Sequence, residues 1–274
     1  MPQFPARIHA ILARNAKCAV VIRRGPSKSV CTFAWNRETN TFTLGQWMKG
    51  RIYERRSDIS PDGRYFIYFA MNGKWDSETK GAWTAISKMP YLKALVLLGK
   101  GDCCHGGGLF TADTQYWLND GHGHNVVLQD SCLTRDRSFQ PTDYFGGECL
   151  NVYYHRLMRD GWSMQPEGTD TQDSPTVFEK PLGPHLTLRK LCYAELGAPP
   201  GKGCYYDRHA IHRTDGDNVW NFPRWEWADK DGDRIVWAED GKLFAARFEE
   251  TGLKDQHLLR DFNGMTFENI EAPY

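Results

Sequence analysis

The sequence lacks any long apolar run, any excess of one charge and nearly all helical signal. Met1 to Arg14 is broken by Pro2 and Pro5 and carries too few consecutive apolar residues for a signal-peptide core or a membrane span. The expectation is a cytoplasmic chain with no membrane partner. Lys plus Arg and Asp plus Glu stand at 34 each, so net charge does not point to nucleic acid, and such a partner would need a local basic patch. The eight cysteines include no C-x-x-C pair, the spacing most typical of zinc sites. A chain of 274 residues buries a sizeable core without covalent staples, and reduced thiols are expected. Only Ala6 to Arg14 offers a helical turn. Elsewhere no stretch combines helical spacing with matching caps.

Strand signals fill the space this leaves. Cys18 to Ile22, Val30 to Trp35 and Thr41 to Trp47 are apolar runs separated by Arg24-Gly25-Pro26-Ser27 and Asn36 to Asn40, which predicts a three-stranded meander. Tyr65 to Ala70, Trp83 to Ser87 and Ala94 to Leu98 follow a short polar strand ending at Ile59. The corner between them, Ser60-Pro61-Asp62-Gly63, has Pro to set one dihedral, Asp to bond its own backbone and Gly to take a positive φ. Gly108 to Leu118 lines up with Ile59 to Phe69, a weaker copy falls at Leu150 to Met158, and Trp225 to Trp237 is another, followed by the Asp240-Gly241 hairpin corner. Leu186 to Tyr193 and Tyr205 to His212 are further strand candidates. Asp160 to Glu179 is rich in Gly, Pro, Ser, Thr and Asp and reads as a loop.

The stretch Arg56 to Phe69, polar strand, Asp-Gly corner and aromatic strand, resembles the strand-turn-strand signature of TolB-like and WD40-like β-propeller blades. That resemblance implies an all-β repeat protein, a single β-propeller domain over residues 1–274, with residues 1–16 as an N-terminal extension and 160–180 as a loop insertion. Corners spaced by about fifty residues predict five blades, or six if the blades are shorter. His257 to Asn269 is the expected strand donor closing the ring on the blade that begins at Cys18. A β-sandwich is the rival architecture.

Candidate chemistry clusters in two stretches, Asp102-Cys103-Cys104-His105-Gly106-Gly107-Gly108 and Gly121-His122-Gly123-His124. Thiolate and imidazole are zinc-ligand types, but adjacent cysteines rarely point at one ion, and no metal is expected. His105 with three glycines also resembles an esterase oxyanion loop. Its nucleophile is missing, because Gly161-Trp162-Ser163-Met164-Gln165 lacks the closing glycine of G-x-S-x-G. Asp229 to Asp233 places acids at alternate positions around Gly232, which reads as a solvated turn and not as a complete calcium loop. Ser60-x-Asp62 lacks the Thr-Trp of a sialidase box. Asp58, Asp102, Asp207 and Glu226 could serve as glycosidase carboxyls, although the arginines beside three of them favour ion pairs.

In a propeller, the loops leading into the inner strands share one face. They contribute Arg55, Arg56, Asp58, His105, Tyr206, Asp207, Arg208, Arg224 and Trp225, residue types common at binding hot spots. The reading is a non-catalytic scaffold that binds a protein or peptide, with no cofactor. The alternatives are a glycoside or ester hydrolase using the channel acids or His105, and a propeller with a structural metal. Replacing Arg56 and Trp225 is expected to cost binding and to leave stability nearly unchanged.

Overall fold

Corner residues decide where this chain turns. At Ser60 to Gly63 the Ser60 hydroxyl donates to the Asp62 carboxylate at 2.7 Å, that carboxylate accepts the Arg64 N–H at 3.0 Å, and the Gly63 N–H closes on Ser60 O at 2.9 Å. Gly63 has φ +77°, and a Cβ there would lie 2.1 Å from Cys18 Sγ, so this position requires glycine. At the second clear corner Asp240 and Gly241 take φ +49° and +75°, the paired positive values of a type I′ hairpin turn.

The computed structural model describes residues 4–25, 28–146, 148–166, 174–195, 198, 202–249 and 252–274. Among the described residues the chain is all-β, in five separate sheets. The first runs in sequence order through β1 (Arg7–Leu12), β2 (Cys18–Arg24), β3 (Ser29–Asn36) and β4 (Thr41–Lys49). The second begins with β5 (Arg51–Ile59), β6 (Tyr65–Met71), β7 (Ala82–Lys88) and β8 (Ala94–Gly99). A short hairpin of β9 (Gly108–Phe110) and β10 (Gln115–Leu118) opens the third sheet, and β11 (Asn125–Leu128) then returns to pair with β8 at the edge of the second. The third sheet is completed by β12 (Thr134–Arg135), parallel to β10. Helix α1 (Cys149–Arg159) follows. The fourth sheet holds β13 (Ser163–Met164), β14 (Thr176–Pro181), β15 (Leu186–Ala194), β16 (Tyr205–Arg213) and β17 (Val219–Phe222). The fifth holds β18 (Trp227–Asp231), β19 (Arg234–Glu239), β20 (Lys242–Glu249) and β21 (Gly252–Asp261). Among the described residues no helix is long and apolar enough to cross a membrane.

By contact the chain divides into two compact units, one containing His9–Arg156 and Gly264–Tyr274, the other containing Pro5–Ile8 and Leu157–Asn263. In the first, β6 sends Phe66, Tyr68 and Ala70 into one cluster with Val20, Ile22 and Ile52, and sends Ile67 into another with Ile86, Val96, Phe110 and Tyr116. Alternate residues of a strand point to opposite faces, so β6 is buried on both, and its unbroken apolar sequence follows from that. In the second unit the core centres on stacked rings. Phe222 and Trp225 lie 3.9 Å apart, Trp225 and Trp237 4.8 Å, and Trp237 and Phe244 5.5 Å.

Four expectations are corrected. Ala6 to Arg14 holds strand β1, not a helical turn or an extension: Ile8, Ala10 and Ile11 are buried together with His9, as in a strand covered on both sides. Leu150 to Met158 is helix α1, not a blade copy. Cys149, Val152, Tyr153, Arg156 and Leu157 recur at helical spacing and are all buried. His257 to Asn269 is not a closing strand, because β21 pairs with β20 and residues 262–274 carry no strand. Within 160–180, β13 and β14 are strands, and the rest of that expected insertion lies partly outside the described residues, as does the corner at 24–27.

Candidate functional site

Strand β5 carries the arginines singled out above. Its register with β6 passes from Tyr53 opposite Phe69 to Asp58 opposite Ile67, so Glu54 to Ser57 bulge from the ladder. All of Glu54, Arg55, Arg56, Ser57 and Asp58 are buried, with Arg56 1% and Asp58 0% exposed. Buried charge needs partners, and each is supplied within the first unit. Arg24 Nη2 lies 3.0 Å from Glu54 Oε1 and Arg55 Nη1 3.8 Å from it. Burial pushes the Glu54 carboxyl up, but Arg24, Arg55 and Arg51 outweigh it and leave its pKa below the usual range. Arg56 donates to the carbonyls of Cys103 and His105, and its guanidinium lies 4.8 Å from the Phe69 ring centre and 5.1 Å from that of Tyr53. Asp58 accepts the Phe110 N–H at 2.7 Å. Arg156 of α1 donates to Glu54 O and Ser57 O, with its other nitrogen 3.0 Å from His9 Nε2. Arg55, Arg56, Asp58 and His105 are thus brought together as an internal tie.

The remaining predicted residues belong to the second unit. Tyr206 and Asp207 on β16 are buried, Tyr206 stacking on Tyr193 at 4.7 Å. Arg208 is exposed, its guanidinium 5.1 Å from the Tyr193 ring centre. Trp225 is 2% exposed inside the ring stack. Arg224 is on the surface and pairs with Glu239 at 2.6 Å and Asp240 at 3.7 Å. Arg56 and Trp225 therefore carry packing, and the expectation that replacing them would spare stability does not hold.

The Cys-His-Gly stretch folds back on itself. His105 has φ +58°, its ring lies 5.2 Å from that of His122, and a Cβ on Gly121 would sit 2.1 Å from its Nε2. A Cβ on Gly107 would lie 1.9 Å from Arg56 O. The glycines therefore serve close backbone approach, and among the described residues no group of three or more His, Cys, Asp or Glu side chains is arranged to hold a metal ion.

One arrangement there escaped the sequence reading. Asp120 Oδ1 lies 2.6 Å from His124 Nδ1, His124 Nε2 lies 3.2 Å from Thr84 Oγ1, and Thr84 Oγ1 accepts the Gly107 N–H at 2.8 Å. The order acid, imidazole, hydroxyl is that of a nucleophilic triad. Thr84 is 0% exposed and the His124 side chain 2%, so the hydroxyl faces protein and not a substrate. Burial lowers the His124 pKa, and Asp120 offsets only part of that effect.

A surface site lies elsewhere in the first unit. Residues 264–274 have no regular structure and run along β4 and the β7–β8 connection. Gln46 Oε1 accepts the N–H groups of Leu92 at 2.8 Å and Lys93 at 2.9 Å, while its Nε2 donates to Ile270 O at 2.7 Å. The Phe267 ring lies 5.9 Å from Trp47, with Lys49 Nζ 5.5 Å from its centre. The Tyr274 hydroxyl donates to Lys93 O at 2.7 Å and accepts the Lys88 N–H at 3.1 Å, and the Lys93 ammonium reaches Tyr274 O. Burial raises the Tyr274 pKa. Beside this segment opens a groove of about 430 Å³, a volume usual for ligand sites, lined by Gln46, Trp47, Tyr68, Asn72, Trp83, Lys93 and Leu97 among others. The rings of Trp47, Tyr68 and Trp83 and the amides and hydroxyls of Gln46, Asn72, Ser77 and Thr79 suit a chain with both apolar and backbone polar groups. No sequence signal marked Gln46, Trp83 or Lys93, but Phe267, Ile270 and Tyr274 repeat at short intervals and could have been read as anchors.

Compared with known proteins, the chain matches no protein-family model, and no curated protein is significantly similar to it.

Proposed function

We propose that this chain is a five-bladed β-propeller of the TolB-like or WD40-like kind, working in the cytoplasm as a non-catalytic scaffold that engages a protein or peptide partner. Five sheets that follow one another along the described chain, apart from the return of β11 to the second, support the architecture, and a crystal structure with the sheets arrayed about one axis is the test. The observation that carries the function is the groove lined by Gln46, whose side-chain amide already holds an irregular segment by its backbone carbonyl. Extended peptides are recognised in this way, backbone contacts giving affinity and side-chain pockets giving choice. Selection of displayed peptides on the purified chain tests it. Enriched peptides should lose binding when Ala94→Trp fills the groove while the melting temperature holds. No enrichment, or binding indifferent to Ala94→Trp, refutes the proposal.

The second reading is ester hydrolysis, favoured by the Asp120–His124–Thr84 relay beside His105-Gly106-Gly107-Gly108. Full burial of Thr84 weighs against it. Turnover of a chromogenic acetate ester that disappears in Thr84→Val would reverse the preference.

A further inference from the structure

The segment 264–274 has the makings of a ligand. It forms no strand, and its contacts go to the receiving surface through two aromatic anchors and the backbone oxygens of Ile270 and Tyr274. Between the anchors stand Glu268 and Glu271. Three lysines line its course: Lys49 lies 5.5 Å from the Phe267 ring centre, and Lys88 and Lys93 lie 4.8 and 5.4 Å from that of Tyr274. The lysines thus stand over the anchor rings, and the two glutamates, both exposed, carry the opposite sign. The hold is shallow, because Phe267 remains 43% exposed. Just before it Asn263 is fixed, donating to Asp240 O at 2.9 Å and accepting the Ala6 N–H at 2.9 Å, and Gly264 follows with φ +70°.

We propose that residues 264–274 are a resident mimic of the partner, which is an acidic peptide carrying aromatic anchors spaced as Phe267 and Tyr274 are. This rests on the peptide-scaffold reading and adds the partner's chemistry and its regulation. A tethered segment competes as though present at roughly millimolar concentration, so a free partner binds the unaltered chain only by outcompeting it and gains affinity when the mimic is loosened. The receiving side reads backbone through Gln46, and this reading is the same whether the segment arrives in cis or in trans.

The experiment uses the full chain and a fluorescent peptide with the sequence of residues 264–274, followed by anisotropy. Tyr274→Ala loosens the tethered copy, so the variant should bind the free peptide at least about tenfold tighter than the unaltered chain, apparent affinity scaling with the fraction of open site. Adding Gln46→Ala to that variant should remove the binding. Equal affinity for the unaltered and Tyr274→Ala chains, or binding indifferent to Gln46→Ala, overturns the proposal. Tyr274→Phe, lacking only the hydroxyl, gives the same reading at smaller amplitude should Tyr274→Ala fail to fold. Displayed peptides that bind and are blocked by Ala94→Trp, together with no binding of the 264–274 peptide, would sink the mimic and leave the scaffold reading in place.

Discussion

Replacing Thr84 by valine removes one hydroxyl and almost no volume, so its cost isolates the hydrogen bonds from packing. The hydroxyl accepts the Gly107 N–H at 2.8 Å and stands 3.2 Å from His124 Nε2. Without it a buried amide and a buried imidazole nitrogen lose their partner in a region closed to water. Each unsatisfied buried group costs about 1–3 kcal/mol, and partial relaxation of the His124 loop brings the expected total to roughly 2–4 kcal/mol. At about 2–4 °C per kcal/mol for a chain of this size, the melting temperature should fall by roughly 4–16 °C. Urea unfolding of the unaltered chain, Thr84→Val and Thr84→Ser measures it, the serine variant retaining most of the stability because it keeps the hydroxyl. A loss below about 0.5 kcal/mol, the range of an ordinary surface change, would mean that the relay ties nothing together.

Further outcomes follow from the same geometry. His124 has a folded pKa below its unfolded value near 6.5, so the unfolded chain binds the extra proton between the two. Its contribution is therefore complete above about pH 6.5 and lost as pH falls toward the folded pKa. The urea midpoint should drop between pH 7.5 and 5 by a larger step in the unaltered chain than in His124→Gln. Gly107→Ala, at φ +74° with its Cβ 1.9 Å from Arg56 O, should prevent the native loop and appear as insoluble or largely unfolded protein by circular dichroism. Trp225→Ala opens the stack between Phe222 and Trp237 and should cost about 3–5 kcal/mol by denaturant titration.

Much of the sheet framework was legible because strands and corners are local. Tyr65 to Ala70, after the Asp62-Gly63 corner, and Ile235 to Ala238, between Asp231-Gly232 and Asp240-Gly241, are unbroken apolar runs, and each became a buried strand. Helix α1 was hidden because His155 and Arg156 put polar groups on a buried stripe, where Asp143 O and the β5 carbonyls satisfy them. Those partners are far away in sequence and leave no periodic trace. The same holds for β1, whose burial on both faces erases alternation. In the site, the arginines of β5 were noticed for their charge, but their neighbours, Glu54, Tyr53 and the carbonyls of Cys103 and His105, decide that they are internal. The Thr84–His124 contact and the Gln46–Ile270 contact join residues with no local relation, and composition does not encode such pairs.

Gln46 does two jobs with the two ends of one amide. Its oxygen fastens the β7–β8 connection and its nitrogen fastens the 264–274 segment. A carboxylate of the same shape accepts hydrogen bonds but has none to give. Gln46→Glu should therefore keep the connection pinned and release the segment, uncoupling a brace from a clasp by exchanging a single atom.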